Sequence, residues 1–142
     1  LVVHQAGEKH LEILNKNYVE AGVEGELVVF IEEMAVKYSE CDLVICRAGA
    51  LTVAELSSAG IASVLVPFPY AVDDHQTYNA KFLSSHGAAV LLPENELTPD
   101  GLANLLLELN RERLLGMAIK ARELATPNAT RIVAEECMEV IK

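Results

Sequence analysis

Short apolar runs alternate with helix-like segments along nearly the whole chain of 142 residues. Such alternation favours parallel strands joined by right-handed helical crossovers, because each helix returns the chain to the same edge of a sheet. We therefore predict an α/β fold with a parallel sheet and helices on both faces. The predicted strands are residues 1–5, 26–30, 42–47, 62–67 and 88–92, and the predicted helices are 8–21, 32–40, 51–59, 75–86, 99–109, 111–125 and 129–141.

Length and apolar content suit one domain with a full hydrophobic core. The chain has 142 residues, of which 51% are hydrophobic, so we predict a single domain over residues 1–142. No apolar run approaches the roughly 18–20 residues that a bilayer-spanning helix needs. The first residue is Leu1 rather than Met, in what looks like a strand, so we expect a piece of a longer protein.

The net charge argues against two classes of partner, and the cysteine spacing predicts the state of the thiols. The formal net charge of −10 argues against a nucleic-acid surface, which needs clustered Lys and Arg, and gives no reason for this chain to bind an anionic membrane. Cys41, Cys46 and Cys137 lack CxxC spacing, so we predict buried free thiols of a reducing compartment. No acidic or histidine cluster in the sequence demands a metal ion.

The loops after the strands are the chemically distinctive parts of the sequence. In doubly wound sheets, ligands bind outside the carboxyl ends of the strands. The corresponding segments are residues 4–8, 30–32, 47–52 and 67–75.

A glycine precedes a predicted helix start after the third strand. Gly49 has no Cβ, so a phosphate can approach the main chain closely there. The first amides of the following helix lack helical partners and carry partial positive charge, so they can bind an anion without a basic side chain. This turn is not the G-x-G-x-x-G dinucleotide fingerprint.

A purely structural role fits the same segment. Thr52 and Glu55 match the S/T-x-x-E capping box, and Leu51 with Leu56 matches the hydrophobic staple. The Thr52 hydroxyl can cap while neighbouring amides bind phosphate. Glu55 cannot fully serve both the Thr52 N–H and a ribose diol, so the two interpretations compete for this carboxylate.

A second polar group follows the fourth strand. Gln76 and Asn79 are three residues apart and share one face of a predicted helix. Amides offer a donor and an acceptor, which suits sugar hydroxyls, although solvated surface amides are an equal alternative. Asp73 or Asp74 is a candidate helix cap, and His75 is more consistent with a plain loop residue than with a general base. Together, the glycine turn and the amides predict a nucleotide-sugar site.

These segments resemble the MurG family of bacterial glycosyltransferases. The resemblance covers essentially the whole chain, as the carboxyl-terminal, Rossmann-like half of a two-domain GT-B fold. Its most specific parts are His4-Gln5-x-Gly7, Phe30-Ile31-Glu32-Glu33-Met34, the block from Cys46 to Glu55, Val66-Pro67-Phe68, and His75-Gln76-x-x-Asn79.

The resemblance implies UDP-N-acetylglucosamine as the donor substrate, with no cofactor and no metal. It implies that Ile31 contacts uracil through its backbone, that Glu55 binds the ribose hydroxyls, and that Gln76 and Asn79 bind the sugar. The diphosphate would contact the helix start, whose candidate residues are Gly49, Ala50, Leu51, Thr52, Val53 and Ala54.

Gln5, Ala6, Gly7 and Arg47 are weaker candidates for the same site. Related sequences commonly have Ser or Thr at the position of Ala6, which provides an additional phosphate contact. With Ala6 that hydroxyl contact is lost, and we expect the Gly7 N–H to be the remaining group that can reach a phosphate.

The family reaction is an inverting transfer of N-acetylglucosamine to undecaprenyl-pyrophosphoryl-MurNAc-pentapeptide, which converts lipid I to lipid II in peptidoglycan synthesis. The resemblance places this reaction at the cytoplasmic side of the bacterial inner membrane, with a peripheral enzyme. It assigns the lipid-linked acceptor, the general base and the membrane contact to the amino-terminal half. We therefore expect no catalytic residue and no transferase activity in this chain alone, and a last helix, about 129–141, that packs here or crosses to that half.

Three other functions fit parts of the pattern. One is a stand-alone, non-catalytic UDP-N-acetylglucosamine-binding subunit of a split transferase, like the small partner of the eukaryotic enzyme that extends dolichol-linked chitobiose. Another is a different UDP-sugar enzyme of GT-B fold, such as a 2-epimerase. A dinucleotide-binding regulatory domain is disfavoured because the fingerprint is missing.

Overall fold

The computed structural model describes residues 1–140, without the side chain of Val72. The chain divides into two compact units, the first covering Leu1–Lys37 and the second beginning at Tyr38. Each unit is described by itself, and the single domain expected from the sequence stays a prediction.

The first unit contains a two-stranded parallel ladder. It comprises β1 (Val3–Gln5), a 3-10 turn (Glu8–His10), α1 (Leu11–Ala21) and β2 (Glu26–Val28), followed by the start of α2 (Met34–Glu40). Strands β1 and β2 pair with Val3 opposite Glu26 and Gln5 opposite Val28.

The second unit contains a three-stranded parallel sheet in the order β3-β4-β5. Its elements are β3 (Val44–Cys46), α3 (Ala50–Ala59), β4 (Ser63–Leu65), a 3-10 turn (Val72–Asp74), α4 (His75–Ser84), β5 (Ala89–Leu91), a 3-10 turn (Glu94–Glu96), α5 (Pro99–Glu108), α6 (Arg111–Glu123) and α7 (Ala129–Val140).

The central strand β4 anchors the core of the second unit on both of its faces. Val64 and Leu65 are fully buried, and they point to opposite faces because side chains alternate along a strand. Leu65 belongs to a cluster with Leu56 of α3 and Leu83 of α4. Val64 belongs to a second cluster that includes Met117 of α6. Helices therefore cover both faces of this sheet, as predicted.

The predicted helices and strands are all present in residues 1–140, and the helix bounds lie within two residues of the predicted ones except at the start of α1. There the predicted helix over residues 8–21 is a 3-10 turn (Glu8–His10) followed by α1 from Leu11. Each strand is only three residues long, shorter than predicted, although hydrogen bonds between neighbouring strands continue past these ends. Next to β4, for example, the carbonyl of buried Ala62 accepts the Val44 N–H at 3.0 Å, and the N–H of buried Val66 donates to the Cys46 carbonyl at 2.8 Å. Within residues 1–140 the strands form two ladders, whereas the prediction was one sheet.

The last helix exposes its apolar side chains. No residue of α7 is buried between Ala129 and Val140, and Val133 and Val140 are 61% and 87% exposed. Cys137 is also exposed, so the prediction of a buried thiol is wrong there, although all three cysteines are free. Ile141, which completes the predicted apolar strip, lies outside the described residues. Among the described residues, no helix has both the length and the apolar character required to cross a bilayer.

Two leucines of α3 provide a matched test of the core. Replacing the fully buried Leu56 with Ala is expected to lower the free energy of unfolding by about 2–5 kcal/mol, because it leaves a cavity. Leu51→Ala, at a side chain that is 79% exposed, should change it by less than about 0.5 kcal/mol. Urea denaturation followed by circular dichroism measures both, and equal losses would contradict the described core.

Candidate functional site

The three strands of the second unit end at a common edge. Cys46 of β3 lies opposite Leu65 of β4, and Leu65 lies opposite Leu91 of β5. Because the strands are parallel, the loops that follow them leave the sheet on the same side. The sheet register thus brings the segments after residues 46, 65 and 91 together.

Arg47 connects these three loops. Its guanidinium donates to the backbone carbonyls of Val66 and Pro67, at 3.4 and 3.2 Å, and forms an ion pair with Glu94. It also lies over the ring of Phe68, 5.5 Å from the ring centroid. These protein partners give Arg47 a structural role at the edge, and its contact with a phosphate stays a prediction.

The start of α3 has no side-chain cap. Gly49 is the N-cap residue, and the first helical bond runs from the Val53 N–H to the Gly49 carbonyl at 2.9 Å. Helix geometry therefore leaves the N–H groups of Ala50, Leu51 and Thr52 without carbonyl partners in the helix. The side chains of Ala50 and Leu51 are exposed, so this end of the helix is open.

The capping-box interpretation of this segment is wrong. The helix begins three residues earlier than the box requires, so Thr52 lies inside the first turn and not at the N-cap. Leu51 is likewise inside the helix and 79% exposed, so it is not the outer residue of a hydrophobic staple. The Glu55 carboxylate does not return to the Thr52 N–H, but accepts a hydrogen bond from the Tyr38 hydroxyl at 3.2 Å.

The charge of Glu55 affects two neighbouring groups. Burial, followed by the Glu55 charge and hydrogen bond, raises the pKa of Tyr38 to about 12. Burial, followed by the Glu55 charge, raises the pKa of Cys46 to about 11. Both groups are therefore protonated at neutral pH. Sequence reasoning missed Tyr38, since it is 17 residues from Glu55 and no local pattern connects them.

The predicted amides bind the backbone of the site loops. Gln76 accepts the Phe68 N–H through Oε1 at 3.0 Å, and Asn79 donates from Nδ2 to the carbonyl of buried Ala48 at 3.0 Å. The alternative of solvated surface amides is therefore wrong. Each bond uses one half of an amide, which leaves the Gln76 Nε2 donor and the Asn79 Oδ1 acceptor for a ligand.

The segment before α4 has a strained backbone. Asp73 and Asp74 have φ angles of 51° and 53°, in the left-handed region that residues with a Cβ rarely adopt. Asp74 is the N-cap residue, but its carboxylate accepts from the Thr77 hydroxyl at 2.6 Å and caps no backbone amide of α4. The predicted cap is therefore wrong, and the strained turn leads directly into the helix that bears Gln76.

A groove lies along α3 and α4 next to the open helix start. It has a volume of about 430 Å³ and is lined partly by Ala50 and Ala54 of α3 and by Tyr78, Asn79 and Phe82 of α4. Val53 is 6% exposed and also belongs to the core. Of the helix-start candidates, Ala50, Val53 and Ala54 therefore line the groove, and Val53 also stabilises the fold.

In the first unit, Gln5 and Ile31 are hydrogen-bonded. The Gln5 Oε1 accepts the Ile31 N–H at 2.8 Å, so the Ile31 carbonyl is the backbone group left for a ligand. His4 contacts the Tyr18 hydroxyl through Nδ1 at 3.2 Å, which is a structural role.

The amides of Ala6 and Gly7 are also paired within the first unit. They donate to the carbonyls of Val28 and Val29, both at 3.1 Å, and so extend the ladder beyond β1. The Gly7 N–H, which we expected to compensate for Ala6, is therefore occupied in this structure. Gly7 has φ 73°, a backbone conformation that glycine adopts readily. This conformation accounts for a glycine at position 7 even if no ligand binds there.

Comparison with known proteins identifies the family. The model of the glycosyltransferase family 28 C-terminal domain matches residues 1–138. The chain belongs to this family.

Its relatives are longer than the chain. A UDP-N-acetylglucosamine–N-acetylmuramyl-(pentapeptide) pyrophosphoryl-undecaprenol N-acetylglucosamine transferase of Nitrosospira multiformis is 67% identical over 140 residues, which are 99% of this chain and 39% of the relative. A protein of the same name from Dechloromonas aromatica is 60% identical over 141 residues, 99% of this chain and 40% of that protein. The chain thus spans about two fifths of the relatives it matches.

Solved structures agree with the sequence comparison. The crystal structure of Acinetobacter baumannii MurG superimposes with a TM-score of 0.91 at 48% identity, over 96% of this chain and 42% of that one. The glycotransferase of kitacinnamycin superimposes with a TM-score of 0.61 at 21% identity, which shows the fold alone. The resemblance to the carboxyl-terminal half of a GT-B enzyme is confirmed.

The ligand contacts of individual residues stay predictions. The structure groups Gly49, Ala50, Leu51 and Thr52 with Gln76 and Asn79 around one edge of the second unit's sheet. Across residues 1–140, no three His, Cys, Asp or Glu side chains are grouped so as to hold a metal ion.

Proposed function

We propose that this chain binds UDP-N-acetylglucosamine as the donor half of an inverting N-acetylglucosaminyltransferase. The acceptor would be undecaprenyl-pyrophosphoryl-MurNAc-pentapeptide, and the reaction the lipid I to lipid II step of peptidoglycan synthesis. The observation that carries the proposal is the open, uncapped start of α3 at the carboxyl edge of the sheet. The names of the relatives, at 60–67% identity, support the choice of sugar and acceptor.

The diphosphate is the part of the donor that an open helix start suits best. The amides of Ala50, Leu51 and Thr52 are the groups at that start without helical partners. A helix start stabilises a nearby anion by about 0.3–1 kcal/mol when exposed, and by up to about 2 kcal/mol when partly buried. These amides bind an anion even though the chain as a whole carries a net charge of −10.

The same amides would act in the chemical step. When an acceptor hydroxyl attacks the anomeric carbon, the bond to the diphosphate breaks and negative charge grows on the leaving UDP. Hydrogen-bond donors already aimed at that diphosphate stabilise the transition state more than the bound donor. We therefore assign to residues 49–52 a contribution to leaving-group stabilisation, and to no residue of this chain the role of base.

Each of the other candidate residues would contact a different part of the donor. Glu55 would accept hydrogen bonds from the ribose diol, for which its exposed carboxylate is suited. The free halves of the Gln76 and Asn79 amides would bind the sugar hydroxyls. Ile31 of the first unit would offer its backbone carbonyl to the uracil N3–H.

The acceptor and the membrane contact would belong to an amino-terminal half. The chain spans about two fifths of its relatives, and α7 carries an exposed apolar strip that such a half would cover. The whole enzyme would act as a peripheral protein at the cytoplasmic face of the inner membrane.

Glu55→Ala tests the ribose contact. We expect UDP-N-acetylglucosamine affinity to fall more than about tenfold, because a hydrogen bond to a charged group contributes about 1.5–3 kcal/mol. Glu123→Ala, at another exposed glutamate at the end of α6, is the control and should bind normally. Isothermal titration calorimetry measures both. Unchanged binding by the Glu55 variant would remove this residue from the site.

Gly49→Ala separates folding from phosphate binding. Gly49 has φ −63°, and an added Cβ would meet only the Thr52 Oγ1, at 3.5 Å. Alanine fits there sterically. Its lower entropy in the unfolded chain offsets its poorer preference for the N-cap position, so the free energy of unfolding should change by less than about 1 kcal/mol. The methyl group would obstruct the approach of a diphosphate, so UDP affinity should fall about tenfold while uridine affinity stays the same. An equal loss for both ligands would argue against diphosphate binding at this turn.

The chain alone should not transfer sugar. Because the acceptor site and base are assigned to the other half, incubating purified chain with UDP-N-acetylglucosamine and lipid I should yield no lipid II. Thin-layer chromatography of radiolabelled product measures this, with a full-length relative as positive control. Turnover by the chain would refute the assignment.

A further inference from the structure

Tyr38 has no contact with the donor in the proposed function, but it is hydrogen-bonded to Glu55, which does. Its hydroxyl lies 3.2 Å from the Glu55 Oε2, although Tyr38 belongs to α2 and Glu55 to α3. We propose that Tyr38 is a positioning residue, which binds one oxygen of the Glu55 carboxylate so that the other is held ready for a ribose diol. The consequence is selectivity for ribonucleotides over 2′-deoxyribonucleotides. This inference rests on the proposed function.

The direction of this hydrogen bond is fixed by chemistry. An ionised carboxylate only accepts hydrogen bonds, so the phenol must donate. The pKa of Tyr38 is raised to about 12, by burial first and then by Glu55, so the hydroxyl keeps its proton throughout the physiological range. Tyr38 thus acts as a permanent donor to Glu55.

The tyrosine ring is held more firmly than the carboxylate it contacts. Tyr38 packs against the core cluster that contains Leu56 and Leu65, and its carbonyl accepts from the Cys41 Sγ at 3.6 Å. Glu55 is exposed and has several rotatable bonds. A ligand that needs an ordered carboxylate binds more weakly if it must order the side chain itself. An anchored donor reduces that cost.

A tyrosine suits this task better than a cation would. In residues 1–140, no Lys or Arg forms a salt bridge with Glu55. An arginine could bind both carboxylate oxygens at once and neutralise the charge. The single hydroxyl of Tyr38 binds one oxygen and leaves the negative charge in place for the ribose hydroxyls.

Paired nucleotides test the proposal. UDP and 2′-deoxy-UDP differ by one hydroxyl, and calorimetry would give their affinities for the unmodified chain and for Tyr38→Phe, which retains the ring. We expect the unmodified chain to prefer UDP by about tenfold. Tyr38→Phe should weaken UDP binding by about 3–10-fold and 2′-deoxy-UDP binding by less than about twofold, as expected for one hydrogen bond. In a Glu55→Ala background, Tyr38→Phe should have no further effect.

Tyr18→Phe is the matched control. Its hydroxyl also makes one side-chain contact of 3.2 Å, to His4 Nδ1, and Tyr18 has no role in the proposed site. The ratio of UDP to 2′-deoxy-UDP affinity should be unchanged in this variant. Circular dichroism establishes that each variant is folded.

Four results would overturn the inference in distinguishable ways. An equal loss of affinity for both ligands in Tyr38→Phe would mean a purely structural residue. Unchanged affinities for both ligands would mean that Tyr38 has no role in binding. Either result leaves the proposed function intact. Equal binding of UDP and 2′-deoxy-UDP by the unmodified chain would overturn the ribose role of Glu55 and the inference together. No binding of UDP at all would overturn the proposed function as well.

A measurement on the unmodified chain does not depend on the variant folding. With tyrosine labelled at ¹³Cζ, the nuclear magnetic resonance signal of Tyr38 should move on saturation with UDP and move less with 2′-deoxy-UDP. Ligand-induced tightening of the Glu55 contact is the expected cause. A Tyr38 signal that both nucleotides leave in place would contradict the proposal.

Discussion

The in-register parallel pairing of β3, β4 and β5 is the constraint on which the candidate site depends. It places Cys46, Leu65 and Leu91 side by side, so the three following loops meet at one edge. Burial of Val64 and Leu65 on opposite faces of β4 supports this pairing, because both helix layers pack on the same strand. Arg47 then joins the loops through carbonyls and Glu94. The open start of α3 lies within this framework.

The uncapped helix start is a place where stability and binding oppose each other. Gly49 makes no side-chain hydrogen bond to the first amides of α3, and a serine or aspartate cap would stabilise the helix by roughly a few tenths of a kcal/mol over glycine. A capping side chain would also occupy the amides that an anionic ligand needs. At Gln76 and Asn79, stability and binding do not compete. Each side chain uses one half of its amide to bind a site loop and leaves the other half for a ligand.

Local pattern and tertiary contact gave different answers for Glu55. The Thr52–Glu55 spacing matches a capping box, yet the same spacing inside a helix simply places Glu55 on the side near Tyr38. The pattern could not reveal where the helix begins, because Ala50 and Leu51 are compatible with a helix that starts at either position.

Two other predictions were wrong because they depend on tertiary structure. Asp74 is not the predicted cap, because its left-handed backbone directs its carboxylate to Thr77. The prediction of buried thiols failed at Cys137, since α7 has no buried residue in its described part.

The sequence by itself determined the order and type of the helices and strands, the parallel fold and the family, because periodicity and motif spacing are local properties of the chain. It also marked the residues of the glycine turn and of the amide helix as candidates. Only the tertiary structure decided which hydrogen bonds these residues make: Gln5 with Ile31, Arg47 with Pro67, and Tyr38 with Glu55. Such partners lie 17 to 26 residues apart, and their meeting depends on how strands and helices pack, which no short pattern encodes.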